Sequence, residues 1–107
     1  MSEESIKQSV KKYLRELLRA GIPVRFGILF GSHARGDVHK WSDIDLLVVS
    51  NLYDRSYTRD DVKLLWKTAA RTDNRIEPIP VGLHRWEQDD ESTIIEIARR
   101  EGIRILV

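Results

Sequence analysis

The sequence contains no cysteine, so it can form neither a disulfide framework nor a thiolate metal site. A reducing cytoplasm fits this composition. The chain also lacks a strong charge of either sign, because 18 lysine and arginine residues face 17 aspartate and glutamate residues, for a net charge of +1. Dedicated nucleic-acid binders are usually distinctly basic. The balance therefore does not favour nucleic acid as the main partner, although it leaves that class open.

Long apolar runs are absent as well. No stretch reaches the roughly 20 apolar residues that a helix needs to span a bilayer. Residues 1–12 are charged and lack the apolar segment of a signal peptide. We therefore expect a cytoplasmic protein with no membrane attachment. The 107 residues show no repeat and no linker composition, so we expect one domain over residues 1–107.

Helix-like and strand-like patterns alternate along the chain. Apolar residues recur at three- and four-residue spacing in the helical stretches and form short runs in the strands. The predicted elements are helices at Glu3–Ala20, Arg59–Arg71 and from Asp89 or Asp90 to Glu101, and strands at Val24–Phe30, Ile44–Val49, Arg75–Val81 and Ile103–Val107. This alternation predicts an α/β fold in which helices cover a sheet.

Several residues predict local detail. Thr58 and Asp61 have the spacing of a capping box at the start of the second helix. Trp66 on that helix is expected in the core. Gly27 within the first strand is expected where another backbone approaches closely. Residues 82–88 show no regular period and are expected to be irregular.

Two aspartates stand at the head of the second predicted strand. Side chains alternate along a strand, so Asp43 and Asp45 point to the same face, roughly 7 Å apart. Two carboxylates this close repel each other, and a hard cation such as Mg²⁺ would relieve the repulsion. The alternative is that both side chains simply end in solvent.

A Gly-Ser pair follows the first predicted strand. Gly31 has no Cβ and lets the backbone approach a ligand closely. Ser32 supplies a hydroxyl and a backbone N–H where a helix could begin, and helix starts bind phosphate. The alternative is a plain turn in which Ser32 is a helix N-cap.

The third predicted strand carries a carboxylate among apolar residues. Glu77 shares its face with Ile79 and Val81, and a carboxylate in such surroundings is costly unless it is paired. Pro78 cannot donate a ladder hydrogen bond, so this strand is expected at a sheet edge or at a bulge. The alternative role for Glu77 is a salt-bridged edge residue.

The combination of these motifs resembles the DNA polymerase beta-like nucleotidyltransferases, and within them the minimal nucleotidyltransferases. The matching residues read Gly31-Ser32-x-Ala34-Arg35-Gly36 and Ser42-Asp43-x-Asp45-Leu46-x-Val48. The resemblance implies a small mixed sheet with helices packed mainly on one face. It implies that Asp43, Asp45 and Glu77 are catalytic and hold two Mg²⁺ ions, although aspartate is common where this chain has Glu77. It also implies nucleotide contacts from Gly31, Ser32, Arg35 and Ser42. The alternative for Arg35 is an ordinary surface arginine with no ligand contact.

The resemblance implies an activity and a partner. The activity is transfer of a nucleoside monophosphate, AMP from ATP or the equivalent from another nucleoside triphosphate, onto an acceptor hydroxyl. The partner is a helical HEPN-type protein, with this chain as the antitoxin of a toxin–antitoxin pair. Two alternatives stay open, namely a non-catalytic module that neutralises such a partner and a nucleotide-binding relic without turnover.

Overall fold

The computed structural model of this chain describes residues 3–31 and 43–107. Its strands in these ranges are β1 Val24–Phe30, β2 Ile44–Ser50, β3 Ile76–Val81 and β4 Ile103–Ile105. They form a sheet of order β3-β2-β1-β4. β1 pairs antiparallel with β2 and with β4, whereas β2 and β3 are parallel. The mixed sheet is as predicted, and β3 lies at its edge, where a strand with Pro78 can be accommodated.

The helices divide between the two faces of the sheet. Among the described residues they are α1 Glu3–Arg19, α2 Arg59–Thr72, α3 Leu83–Gln88 and α4 Thr93–Glu101, with a 3₁₀ turn at Asn51–Asp54. The two long helices, α1 and α2, pack on one face, and the two short ones on the other. The predicted α/β class is confirmed. Within the described ranges, no helix is both long enough and apolar enough to cross a bilayer.

The larger core lies between the sheet and the two long helices. Leu14 and Leu17 of α1 are fully buried there, as is Leu46 of β2. The Tyr13 hydroxyl donates a 2.9 Å hydrogen bond to the Leu65 carbonyl oxygen, which ties α1 to α2 inside this core. Burial of a large apolar side chain contributes roughly 1.5–3 kcal/mol. The predicted apolar stripe of the first helix is therefore what holds it to the sheet.

A smaller core lies under α3 and α4. The Trp86 ring meets Phe26 edge-on, with ring centroids 6.1 Å apart. Arg99 of α4 donates from Nε to the Trp86 carbonyl oxygen at 2.7 Å, which joins the two short helices. Ile95 and Ala98 are also buried here, so α3 and α4 together cover this face of the sheet.

The prediction that residues 82–88 are irregular was wrong, because Leu83–Gln88 is helix α3. Gly82 at its N-terminus gives no side-chain cap. Instead, the carboxylate of Asp54 accepts the His84 N–H at 3.0 Å. A Cβ on Gly82 would lie 2.9 Å from Asp54 Cγ, so only glycine lets the two segments approach this closely.

Three further predictions need correction. The last helix is capped by Ser92, whose hydroxyl accepts from the Ile95 N–H, and not by Asp89 or Asp90. Trp66 is 47% exposed and lies outside the core. At Gly27 the close neighbours are side chains rather than backbone, since an added Cβ would stand 3.1 Å from methyl carbons of Leu14 and Leu46.

Candidate active site

The predicted carboxylates meet at the start of two parallel strands. Asp45 of β2 and Glu77 of β3 are direct register partners, so their side chains leave the sheet side by side. Asp43 lies immediately before β2, two residues from Asp45. All three belong to the face that α3 and α4 cover further along the strands, where Leu47 and Ile79 follow in the core. The parallel register therefore brings the carboxylates of two separate segments to one place.

The closeness of the three carboxylates affects the pKa of Glu77. Burial raises the pKa of Glu77 above its ordinary value, and the negative charges of Asp43 and Asp45 raise it further. Asp43 is exposed, while Asp45 and Glu77 are half-buried. A like charge disfavours ionisation of its neighbour, and partial desolvation adds to that effect. The cluster thus carries a repulsion that a bound cation would relieve.

Gly31 closes the site from the side of β1. Its backbone has a φ of +76°, in the left-handed region that side chains rarely adopt. A Cβ at this position would lie 3.3 Å from Asp45 Cγ and would clash with Asp45 Oδ2. Phe30, the preceding residue, is the register partner of Asp45. Gly31 is therefore required both by its conformation and by the aspartate beside it.

A partly buried ion pair lies just before the strand that carries Glu77. Arg75 donates to Asp73 from Nε at 3.0 Å and from Nη2 at 2.6 Å. The Arg75 hydrogen bond and charge hold the pKa of Asp73 below its usual range. The Arg75 carbonyl oxygen accepts from the Ile44 N–H at 2.8 Å, between the two aspartates of the site. The sequence motifs did not point to this pair, although the Asp-x-Arg spacing next to a predicted strand was a usable signal.

The donor chemistry of the cluster fits a hard divalent cation. Three carboxylates supply oxygen ligands, and their mutual repulsion would be offset by positive charge. Over residues 3–31 and 43–107, no three histidine, cysteine, aspartate or glutamate side chains are arranged so that together they could hold a metal ion. We interpret the group as an open set, because Mg²⁺ usually keeps several waters and takes phosphate oxygens beside one or two carboxylates. One or two of the carboxylates of Asp43, Asp45 and Glu77 could hold such an ion together with a phosphorylated ligand.

The other predicted ligand contacts cannot be placed in the same way. Ser32, Arg35 and Ser42 lie outside the described residues. Their roles stay predictions. Gly31 is the residue of the Gly-Ser pair that the structure describes, and it touches the carboxylate cluster directly through its closeness to Asp45.

Comparison with known proteins follows this geometry. The family described as nucleotidyltransferase domain matches residues 7–104. A structure of a candidate nucleotidyltransferase from Sulfolobus solfataricus superposes with a TM-score of 0.64 at 17% identity, covering 95% of this chain and 80% of that one. A crystal structure of a toxin–antitoxin with AMP-PNP superposes with a TM-score of 0.61 at 22% identity, covering 92% and 71%. No curated protein matches the sequence at a significant level.

Proposed function

Because the chain belongs to the nucleotidyltransferase domain family, we propose that it transfers a nucleoside monophosphate from a nucleoside triphosphate to an acceptor hydroxyl, with Mg²⁺ as cofactor. ATP is the donor we favour, which makes AMP the group transferred. The family match over residues 7–104 supports a single domain, residues 1–107, as part of this proposal. A cytoplasmic location stays a prediction.

The observation that carries the proposal is the pairing of Asp45 with Glu77 across two parallel strands. It places a carboxylate from each strand next to the other, with Asp43 adding charge from the same side. Phosphoryl-group transfer needs this kind of site, since the transition state spreads negative charge over phosphate oxygens that cations must neutralise. A salt-bridged edge role for Glu77 finds less support, because the charges acting on it are negative.

Each residue has a proposed role in the transfer. Asp43, Asp45 and Glu77 would hold Mg²⁺, which when bound supplies positive charge to the phosphates and lowers the pKa of an acceptor hydroxyl. The backbone at Gly31 would approach the phosphates closely, as a residue without Cβ allows. Ser32, Arg35 and Ser42 would complete the phosphate contacts. Little covalent chemistry falls to the protein, so positioning and charge neutralisation carry the rate.

We also propose that the chain works next to a protein partner. One structural neighbour is a toxin–antitoxin crystallised with AMP-PNP, an ATP analogue. This supports ATP as donor and a toxin–antitoxin setting, in which this chain would act as an antitoxin against a helical HEPN-type toxin. The acceptor hydroxyl could then belong to that partner. Co-expression with a HEPN protein encoded next to it, followed by co-purification, tests the pairing, and separate elution of the two chains would argue against it.

The decisive experiment is a transfer assay with labelled ATP. The wild-type chain, Mg²⁺ and the partner are incubated, and label on the partner is measured. We expect Asp45→Asn to abolish transfer, whereas Asp90→Asn, which neutralises an exposed aspartate outside the cluster, leaves it unchanged. Transfer that survives Asp45→Asn would remove this site from the mechanism.

A binding role without turnover is the second candidate. Its support is the exposure of Asp43 and the absence of an enclosed metal position among the described residues. Calorimetry separates the two candidates. Three results together would favour the binding module. ATP would bind with Mg²⁺, no tested acceptor would receive label, and the Asp45→Asn variant would still neutralise the partner.

A further inference from the structure

The outward surface of α2 carries a regular row of cations. Arg59, Lys63, Lys67 and Arg71 follow one another at four-residue steps. Residues four apart on a helix are neighbours, so these side chains form one stripe with about 6 Å between successive members. All four residues are exposed. The stripe is therefore a continuous positive strip on the side of α2 that faces away from the sheet.

Among the residues that the structure describes, no ion pair neutralises the stripe, although Glu16 lines a shallow pocket together with Arg71. Ion pairs within the described ranges join arginines elsewhere to Glu16, Asp73, Asp89 and Glu96, and none of them involves the four α2 cations. Asp60 is the exposed acid next to the stripe, and Asp61 is engaged in the capping box with Thr58. The positive charge is thus available to another molecule.

The charge of the chain is segregated. Helices α1 and α2 together contain nine of its 18 lysine and arginine residues and five of its 17 aspartate and glutamate residues, which gives them +4. The remainder, with nine basic and twelve acidic residues, carries −3. The net charge of +1 therefore conceals a positive helical layer on one side of the sheet.

An exposed tryptophan lies beside the stripe. Trp66 is 47% exposed although it lies on a helix whose opposite side is buried. On the same helix, Leu64, Lys67, Ala70 and Arg71 line an open cleft of about 450 Å³, of which Trp66 is not a lining residue. Leu64 and Ala70 give this cleft apolar walls, and the aliphatic stems of Lys67 and Arg71 extend them. The surface joins an apolar recess to a cationic rim, which is the arrangement of a protein-binding patch.

We propose that this surface, the α2 outer face of Arg59, Lys63, Trp66, Lys67, Ala70 and Arg71, docks an amphipathic acidic helix of a protein partner. An apolar side chain of that helix would enter the cleft and cover Trp66. Its carboxylates, repeated every four residues with the same 6 Å rise (about 1.5 Å per residue), would face the cations. Duplex nucleic acid would satisfy the charges, but its bases are stacked on one another and offer no group for the apolar recess.

The position of this face separates docking from chemistry. α2 packs on the face of the sheet that buries Leu46 and Ile76, and Asp45 and Glu77 project from the other face. A helix bound to the outer side of α2 would therefore leave the carboxylate cluster open to nucleotide. The inference does not depend on the proposed transferase activity, because it concerns a different surface.

The test uses a synthetic amphipathic helix with leucines on one face flanked by glutamates, and a matched peptide with lysines in place of the glutamates. Calorimetry measures affinity, and tryptophan emission reports whether Trp66 is covered. We expect the acidic peptide to bind and the lysine peptide not to bind. Lys63→Glu combined with Lys67→Glu should weaken binding at least about tenfold, since attraction becomes repulsion. Trp66→Phe should remove the emission change.

Matched controls identify what a failure means. Arg25→Glu with Arg55→Glu makes the same change in net charge at exposed residues away from α2, and it should leave the affinity within about twofold at moderate salt. Circular dichroism and melting curves check that both double variants are folded. Equal weakening by both pairs, or no binding of the acidic peptide, would overturn the proposal. Tighter binding of single-stranded RNA through the same lysines would overturn it too, by making nucleic acid the occupant.

Discussion

Asp45 on β2 and Glu77 on β3 lie directly opposite each other in a pair of parallel strands, and each is the second residue of its strand. The pairing depends on backbone hydrogen bonds rather than on attraction between the side chains, which repel. The Arg75 carbonyl oxygen bonded to the Ile44 amide fixes the register at this point. The backbone therefore keeps together two carboxylates that would separate in a flexible loop, and a cation bound beside them would relieve their repulsion.

Glu77→Gln should separate stability from activity. We expect activity to fall at least about 100-fold, the scale for removing one electrostatic group from an active site. Without Mg²⁺, the variant should melt a few degrees higher than wild type at neutral pH. The sign follows from the raised pKa of Glu77, because its ionised form is penalised in the fold at every pH above that pKa.

Melting curves with and without Mg²⁺ check this prediction. Mg²⁺ should raise the melting temperature of the wild type and leave Glu77→Gln almost unchanged, since a ligand stabilises only the form that binds it. Glu87→Gln, at an exposed glutamate on α3, is the control and should behave as wild type. A Glu77→Gln variant that melts lower than wild type in the absence of metal would contradict the repulsion we describe.

Gly31→Ala should damage both stability and the site. The left-handed backbone alone costs an alanine about 1–2 kcal/mol, and the added Cβ would press on the Asp45 carboxylate. Gly21→Ala is the matched control, because Gly21 also has positive φ, at +94°, but nothing lies within 4 Å of its added Cβ. Both variants should lose stability in urea, whereas Mg²⁺ binding should weaken only in Gly31→Ala. Equal Mg²⁺ affinity in the two would argue against close approach at Gly31.

Asp54→Ala should loosen α3. It removes the acceptor of the His84 N–H, and loss of a helix cap costs about 0.5–2 kcal/mol. Asp54→Asn retains an acceptor oxygen and should lose much less. Urea unfolding measures the difference, and hydrogen exchange of the amides in residues 84–88 should rise in the alanine variant. An alanine variant as stable as the asparagine variant would show that the contact contributes no capping.

Asp89→Asn should change how stability depends on pH. The backbone N–H of Ser92, the Arg85 side chain and the N–H of Glu91 lower the pKa of Asp89 to about 2. A lowered carboxyl pKa gives stability that is present above the unfolded value, near 4, and lost as the pH falls through about 2. The asparagine keeps an oxygen for the two amides but has no charge. Wild type should therefore be more stable than the variant at pH 6, and melting curves recorded down to pH 2 should converge.

Much of the fold was predictable because its causes are local. The apolar stripe of α1, the Thr58–Asp61 capping box and the edge position of the Pro78 strand each depend on neighbouring residues, and the structure shows all three. Helix α3 was missed because its cap, Asp54, lies 30 residues earlier in the chain. Ser92 was missed as a cap because the aspartates before it look equally suitable in sequence.

The candidate site shows the same division. Asp43, Asp45 and Glu77 were predicted as site residues from their position beside or among apolar residues and from the resemblance, and the structure brings these three carboxylates together. The Asp73–Arg75 pair was not, because its importance comes from where it lies relative to β2. Trp66 was predicted in the core because helical periodicity alone does not show whether an aromatic residue at the margin of the apolar face is buried. In the structure, Trp66 is 47% exposed.

The parallel pairing of β2 with β3 has a consequence for the order in which the protein folds. Parallel strands require a crossover, which here runs through the 3₁₀ turn and α2 before β3 can join the sheet. Contacts of such long sequence separation form slowly, because loop closure precedes the gain from pairing. In a newly made or partly unfolded chain, Asp45 and Glu77 would stay apart until the crossover has docked, so the affinity of this pair for a metal ion should appear only after that step.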